Sequence, residues 1–177
     1  MDRKVFISDR DISLAEYYPS IDDNSYFSCW QDADTQKGYN YQMTDSFEDF
    51  CKRPIRSRLL AVIIRNKDNE PLGIVSLSPE GSQPDLAIML YKSYRGKGYG
   101  TKAFALASAY CFEVFDFEHL YAGCYETNLI SRKMLKACGF VPHPDGDSHE
   151  THYLTGEPIT QYDFVLHRKD RNSHHQR

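Results

Sequence analysis

The sequence predicts an α+β sandwich, a central mixed sheet with helices on its faces. Three observations lead there. In the first half, three apolar runs rich in branched residues follow one another across short polar turns. In the second half, two segments of helical periodicity alternate with strand-like runs. The 177 residues also show no internal repeat, low-complexity linker or break in composition, so one domain's worth of chain must share a core.

Residues 4–8 read as a short first strand. Residues 12–50 are acidic, aromatic-rich and irregular, with helix-like patches at 14–18 and 46–51. Thr44-Asp45-Ser46 with Glu48 just after is a helix start signal for the second patch. The runs 59–64 and 72–77, separated by Asn66-Lys67-Asp68-Asn69-Glu70, form a hairpin pattern, and 85–90 follows as a third antiparallel strand. Residues 98–114 fit a helix, with Ala103, Leu106 or Ala107, Tyr110 and Val114 on one face. Residues 119–125 read as a strand. Residues 128–138 form a second helix that Gly139 stops. A short strand at 140–141 ends at Pro142, and a last strand at 161–167 follows a long polar loop. The domain is expected to span residues 1–167, with a polar, basic, fraying tail at 168–177.

The formal net charge is -4, which disfavours a nucleic-acid binder or a polybasic membrane-surface protein. The distribution says more than the sum. Residues 11–50 hold nine acids (Asp11, Glu16, Asp22, Asp23, Asp32, Asp34, Asp45, Glu48, Asp49) and one base, Lys37. Residues 91–106 hold four bases (Lys92, Arg95, Lys97, Lys102) and no acid. One region suits a cation and the other an anion. No apolar run approaches the ~18–20 residues that span a bilayer, and Met1-Asp2-Arg3-Lys4 does not begin a secretory signal. Five cysteines without a C-x-x-C pair argue against a disulfide framework or a cysteine-rich zinc site, so a cytoplasmic location is expected. His149-Glu150-Thr151-His152 lacks metal-site spacing and an evident third ligand, and no metal is expected.

The chemistry concentrates in Arg95-Gly96-Lys97-Gly98-Tyr99-Gly100-Thr101-Lys102, between a strand and a helix. Three glycines in five residues let the backbone approach something closely. The helix they open has amide N–H groups without intrahelical partners and a positive dipole end, an anion site for a phosphate or pyrophosphate. The spacing fits neither the Walker pattern nor the dinucleotide fingerprint. A tight, solvent-facing turn would show the same glycines.

Arg95-x-x-Gly98-x-Gly100 resembles the acyl-CoA pyrophosphate loop of the GNAT N-acetyltransferase superfamily, [QR]-x-x-G-x-[GA]. Downstream, Asn128-x-x-Ser131 followed by Lys136-Ala137-Cys138-Gly139-Phe140 resembles its second signature, an Asn-headed helix ending in Gly-Phe. Asp85-Leu86-Ala87-Ile88-Met89-Leu90 is similar to the strand that usually reads E-I-G-Y-x-L in the Rim-type branch, which acetylates ribosomal protein N-termini and small amines. The resemblance covers roughly residues 59–141 and the final strand.

The resemblance implies a three-layer sandwich whose mostly antiparallel sheet splays between 85–90 and 119–125 to admit the pantetheine of acetyl-CoA. Main-chain groups around Met89 and Leu90 would pair with its amides and stabilise the oxyanion. Backbone N–H groups of Arg95, Gly96, Lys97, Gly98, Tyr99, Gly100 and Thr101 would hold the pyrophosphate, with Lys97 or Lys102 reaching it from the rim. Asn128 would bind the pantetheine arm, and Ser131 would protonate or hydrogen-bond the leaving thiolate. Asp85, one methylene shorter than the Glu of relatives, would help remove the proton of the attacking amine through water. Many members carry a Tyr seven residues after the Asn as general acid; here that position is Leu135, which shifts the burden to Ser131. The residues alone also admit a packing serine at 131, a strand-start cap at Asp85 and an ordinary helix cap at Asn128.

The acceptor implied is a primary amine, either a small cationic one such as a polyamine or amino-sugar, or a peptide N-terminus. It would meet the aromatics and carboxylates of 11–50 (Tyr17, Tyr18, Tyr26, Phe27, Trp30, Tyr39 and Tyr41 beside Asp22, Asp23, Asp32 and Asp34), unless these form a solvated acidic face over core aromatics. Glu150, Tyr153 and Glu157 would close the site from the other side. Homodimers are common in the branch. A non-catalytic acyl-CoA-binding or regulatory domain would keep the same loop, and a nucleotide-binding module is a third reading.

Overall fold

The computed structural model describes residues 3–169. Five strands run as an antiparallel meander: β1 (Val5–Ser8), β2 (Ile12–Glu16), β3 (Ser57–Arg65), β4 (Glu70–Pro79) and β5 (Leu86–Leu90). Between β2 and β3 lie three helices, α1 (Pro19–Trp30), α2 (Ala33–Tyr39) and α3 (Phe47–Cys51). Then follow α4 (Tyr99–Val114), β6 (His119–Tyr125), α5 (Leu129–Ala137), β7 (Val141–Pro142), β8 (Ser148–Thr151) and β9 (Pro158–His167). The last strands form a second sheet, with β9 pairing antiparallel to β6, β7 and β8.

Strand β3 shows why the chain folds this way. Its apolar run is buried on both faces because alternate residues serve two cores. Leu59, Ala61 and Ile63 join the larger core under α4 and α5, while Val62 and Ile64 join a smaller one with Ala15, Tyr17 and Ile74 beneath α1. Helix α4 buries Ala103, Phe104, Ala107, Ser108, Cys111 and Phe112, recurring at i, i+1, i+4, i+5, i+8 and i+9. Fully burying a side chain such as Phe104 contributes about 1.5–3 kcal/mol.

Four local expectations change. Residues 12–16 are a strand, not a helix-like patch, and Val114 is exposed because the buried stripe of α4 passes through Cys111 and Phe112. The loop before β9 contains β8, an edge strand with every residue exposed. Arg168, expected to start a fraying tail, is fixed by bonds from its guanidinium to Phe117 O (2.7 Å) and Phe115 O (2.8 Å); residues 170–177 lie outside the described residues.

Candidate active site

The two sheets touch at one point. Asp85 and Tyr121 form an isolated parallel bridge, with Tyr121 N–H donating to Pro84 O at 2.9 Å, and beyond it β5 and β6 part. The register of β5 decides which backbone groups face the gap. Ser78 N–H donates to Asp85 O and Tyr91 N–H to Leu72 O, so the odd-numbered residues from 85 to 91 turn their main-chain groups to β4. Met89 is among them: it pairs with Ile74, and a Cβ added at the neighbouring Gly73 would lie 2.1 Å from Met89 O. The main-chain groups that face the slot are those of Ile88 and Leu90. Their carbonyls are already engaged. Tyr39 Oη donates to Ile88 O at 2.6 Å, and Arg95 Nε donates to Leu90 O at 3.0 Å. What the slot offers a ligand is therefore the amide N–H groups of Ile88 and Leu90.

The slot ends at the glycine turn. Gly96 (φ 71°) and Gly98 (φ 82°) occupy the left-handed region, where a side chain is strained. Gly98 is the N-cap of α4 and no side chain caps the helix, so the first amide groups of Tyr99, Gly100 and Thr101 stay open at the positive end of a 16-residue helix. A Cβ at Gly100 would meet Leu90 Cδ1 and Met134 Sδ at an ordinary 3.5 Å, so protein neighbours alone do not demand glycine there.

The cations of this turn point elsewhere than expected. Arg95 Nη1 donates to Asp32 Oδ2 (2.7 Å) and Nη2 to Thr35 Oγ1 (2.7 Å), so its guanidinium turns back under α2. Burial works against the charge of Asp32, but Arg95, the Thr35 N–H and Lys92 outweigh it and hold the carboxyl down at about 2. Lys102 is paired with Asp11, and Lys97 Nζ donates to Ser93 O at 2.8 Å. Around them Arg10, Arg65, Lys67, Lys97, Tyr99 and Lys102 line a cavity of about 290 Å³ with Asp11.

The acidic stretch of 11–50 is likewise used internally. Asp22, 3% exposed, takes a two-pronged contact from Arg3 at 2.6 and 2.7 Å, because a buried carboxylate needs a partner. Asp23 accepts from the hydroxyl of Tyr17, Asp45 pairs with Arg53 and Glu48 with Lys52. The charges near the slot come from other strands. Asp85 stands at its closed end, open to solvent yet crowded by protein; that crowding first, and the carboxylate of Asp163 second, push it up to about 6. Asp163, opposite Gly123 in the β6–β9 ladder, is fixed by Gln161 Nε2 (2.8 Å) and the hydroxyl of Ser148. Gly123 has no side chain because Gln161 fills its place, 2.6 Å from where a Cβ would stand.

Asn128 is the N-cap of α5, its Oδ1 accepting from Ser131 N–H at 3.1 Å, and its Nδ2 faces Gly38 of α2. Ser131 sits half-buried in the first turn of α5, and its hydroxyl makes no hydrogen bond among the described residues. Leu135 is 1% exposed in the core. On the far rim, Tyr125 Oη donates to Glu150 Oε2 (2.6 Å), and Asn40 joins α2 to β8 by bonding Glu150, Thr151 O and Tyr153 N–H. Among the described residues Glu157 bonds through its backbone, its carbonyl accepting from His152 N–H and its N–H donating to Thr155 Oγ1 in the β8–β9 turn. Sequence reasoning missed Ile88, Asn40 and Asp163, and named Tyr39 only as an acceptor aromatic, not as the partner of Ile88 O. The alternation along β5 could have exposed the first; the others come from distant segments. Among the described residues no group of three or more His, Cys, Asp or Glu is placed to hold a metal, and no helix is long and apolar enough to cross a membrane.

Residues 11–141 match the family model of the acetyltransferase (GNAT) domain. No curated protein sequence is significantly similar. The fold is that of spermidine N-acetyltransferase from Vibrio cholerae, solved with CoA and spermine (TM-score 0.81, 14% identity, covering 93% of this chain and 99% of that one). It is also that of a GNAT-family acetyltransferase from Bacillus anthracis (TM-score 0.76, 14% identity, covering 92% and 98%). RimL, a ribosomal L7/L12 α-N-protein acetyltransferase, aligns at a TM-score of 0.75 with 14% identity over 93% and 94% of the two chains. With its splayed β5–β6 pair, its glycine-capped α4 and a family match over most of its length, this chain belongs to the GNAT acetyltransferase family.

Proposed function

We propose that the protein is an acetyl-CoA-dependent N-acetyltransferase of Rim type, acting on a primary amine by direct attack within a ternary complex. The observation that carries this reading is the parting of β5 and β6 beyond Asp85 and Tyr121, which leaves the N–H groups of Ile88 and Leu90 unpaired by β6 and leads to the uncapped start of α4. These groups fit an extended amide chain ending in a pyrophosphate. Ile88 and Leu90 take the main-chain part foreseen for Met89 and Leu90, because Met89 faces β4. The amides from Gly96 to Thr101 hold the pyrophosphate; that of Arg95, expected among them, donates instead to Lys92 O at 3.4 Å. Arg95 braces the turn rather than touching phosphate, and Lys97 and the basic cavity beside it supply the attracting field.

Asp85, held near 6 by desolvation and by the carboxylate of Asp163, accepts the proton of the incoming ammonium through water, while Glu150 stands on the far rim with Tyr125. A Leu90 or Ile88 N–H stabilises the oxyanion. The Ser131 hydroxyl, without a hydrogen bond among the described residues, donates to the departing thiolate, and Asn128 sets the start of α5 while its Nδ2 lies against Gly38 of α2. The acceptor is a primary amine, in either a small molecule or a peptide, a reading supported by neighbours named for spermidine and for a ribosomal protein N-terminus. Residues 1–167 act as one domain, and copies pair into a homodimer as in the resembled branch.

Amine-dependent release of free CoA thiol, scored over a panel of small amines and peptides, tests the reading. Stabilisation by acetyl-CoA without thiol release against any amine would instead favour a binding or regulatory domain.

A further inference from the structure

The basic cavity of about 290 Å³ lies beside the glycine turn, on the flank away from the slot. Three segments wall it: Arg10 and Asp11 from the β1–β2 turn, Arg65 and Lys67 from the end of β3 and the turn after it, and Lys97, Tyr99 and Lys102 from the glycine turn and α4. The strand order fixes the flank. β3 stands two strand spacings, ~10 Å, from β5, whereas the slot opens on the other edge of β5. The walls are tied to one another. Ile12 pairs with Arg65, and Asn66 donates from its N–H to Asp11 O and from Nδ2 to Asp9 O, both at 2.9 Å. Lys102 pairs with Asp11 and so holds α4 against the same corner.

Charge in this cavity is unbalanced. Five lining residues are cations and one, Asp11, is a carboxylate. Lys102 takes Asp11, and Arg65 meets both oxygens of Asp68 at 2.7 Å. Other acids nearby are also engaged: Glu70 accepts from the Tyr94 hydroxyl, and Asp9 Oδ1 from the N–H groups of Asp11 and Ile12. Lys97 lies 5.8 Å over the Tyr94 ring, bonds Ser93 O and has no carboxylate partner. Arg10 and Lys67 are exposed and make no hydrogen bond or ion pair among the described residues. Three cations therefore face one cavity without a counter-charge, and an anion between them relieves their repulsion. Donors arriving from three sides suit a group with two negative charges and several acceptor oxygens, which is a phosphate.

We infer that the cavity is a second phosphate site, separate from the open amides of α4, with Arg10, Lys67 and Lys97 as its binding groups. The phosphate has two sources of the same chemistry: the 3′-phosphate of the CoA whose pyrophosphate lies on the turn, or a free polyphosphate. The site goes beyond the acetyltransfer reading and does not require turnover.

Calorimetry with acetyl-CoA, with acetyl-dephospho-CoA (which lacks the 3′-phosphate) and with tripolyphosphate tests it. The double variant Arg10→Ala/Lys67→Ala removes two exposed cations and leaves the bonds that tie the turns. If CoA supplies the phosphate, the parent binds acetyl-CoA at least ~10-fold more tightly than acetyl-dephospho-CoA, and the double variant binds both alike. If the phosphate is free, tripolyphosphate binds once per chain to protein saturated with acetyl-dephospho-CoA, and the double variant weakens it at least ~10-fold. Lys133→Ala/Lys136→Ala, which removes the same charge from the exposed face of α5, should change neither result. The inference is overturned if both effects are absent at millimolar ligand, if they survive Arg10→Ala/Lys67→Ala, or if the α5 variant abolishes them equally. The melting shift with acetyl-CoA separates the two levels. If it is present and both arms are negative, only the second site falls. If it is absent, the acyl-CoA reading falls, and tripolyphosphate binding to the unliganded parent and double variant still decides the site.

Discussion

Arg95 and Asp32 meet at 2.7 Å, tying the glycine turn before α4 to the N-cap of α2 across 63 residues of sequence. The same guanidinium bonds Leu90 O, so one side chain joins the end of β5, the start of α2 and the turn. Arg95→Ala should lower unfolding free energy by about 2 kcal/mol in urea denaturation, because it leaves a mostly buried carboxylate with only Lys92, at 3.3 Å, as a charged partner. Asp32→Ala should cost about 2–3 kcal/mol, since the helix cap is lost too. The pH dependence follows. With its folded value held at about 2 against an ordinary 3.8, Asp32 contributes stability that is fully present above pH 3.8 and fades as pH falls toward 2. Asp32→Asn should remove that part of the acid transition.

Gly98 and Gly100 should respond differently to alanine. Gly98 has φ of 82°, so Gly98→Ala is expected to cost about 1 kcal/mol. Gly98→Asp should also abolish the melting shift with acetyl-CoA, by placing a carboxylate at the anion site. Gly100→Ala, with its new Cβ in ordinary contact with Leu90 and Met134, should melt within a degree or two of the parent. Scanning calorimetry with and without acetyl-CoA reads both effects.

Asp85 carries a pH signature of the opposite sign. Raised from 3.8 to about 6, it binds its proton more tightly in the folded state, so its contribution is most favourable below pH 3.8 and declines as pH rises through 6. Asp85→Asn should raise the melting temperature relative to the parent at pH 7 and change little at pH 3.5. The same variant should lower kcat roughly 100-fold and remove an acidic limb centred near pH 6 from the rate profile.

Ser131→Ala is expected to reduce kcat about 10- to 100-fold while leaving acetyl-CoA binding and melting intact, since its hydroxyl has no bond within the described fold to lose. Asn128→Ala should do the reverse in stability, costing about 1 kcal/mol through the lost cap on Ser131 N–H. Paired calorimetry and steady-state rates distinguish the two.

Much of this was legible in the sequence, for local reasons. The hairpin of β3 and β4, strand β6, and helices α4 and α5 carry their own periodicity and stop signals, so Asn128 and Gly139 stand at the ends where their chemistry put them. Strand β2 was missed because all but its last residue is buried, leaving no polar alternation to read. Helix α1 crowds Tyr26, Phe27 and Trp30 into its second half and α2 has Tyr39 as its one aromatic, so neither shows a clear stripe. The glycine turn was found as a motif, but the destination of its charges was not, because Arg95–Asp32 and Lys102–Asp11 join segments 63 and 91 residues apart. Two opposed charge clusters in the sequence are partly one neutralised interface in the fold. The shift from Met89 to Ile88 and Leu90 required only the parity of one strand, which no composition reveals.

The central claim is that the β5–β6 slot and the start of α4 form an acyl-CoA site. Thermal unfolding with 1 mM acetyl-CoA tests it most directly. For a ligand at about 100 times its dissociation constant, the stabilisation is about 2.7 kcal/mol, a rise of roughly 5–10 °C for a chain of this size. That rise is expected in the parent protein and its loss in Gly98→Asp; an unchanged melting temperature in the parent would contradict an acyl-CoA site there.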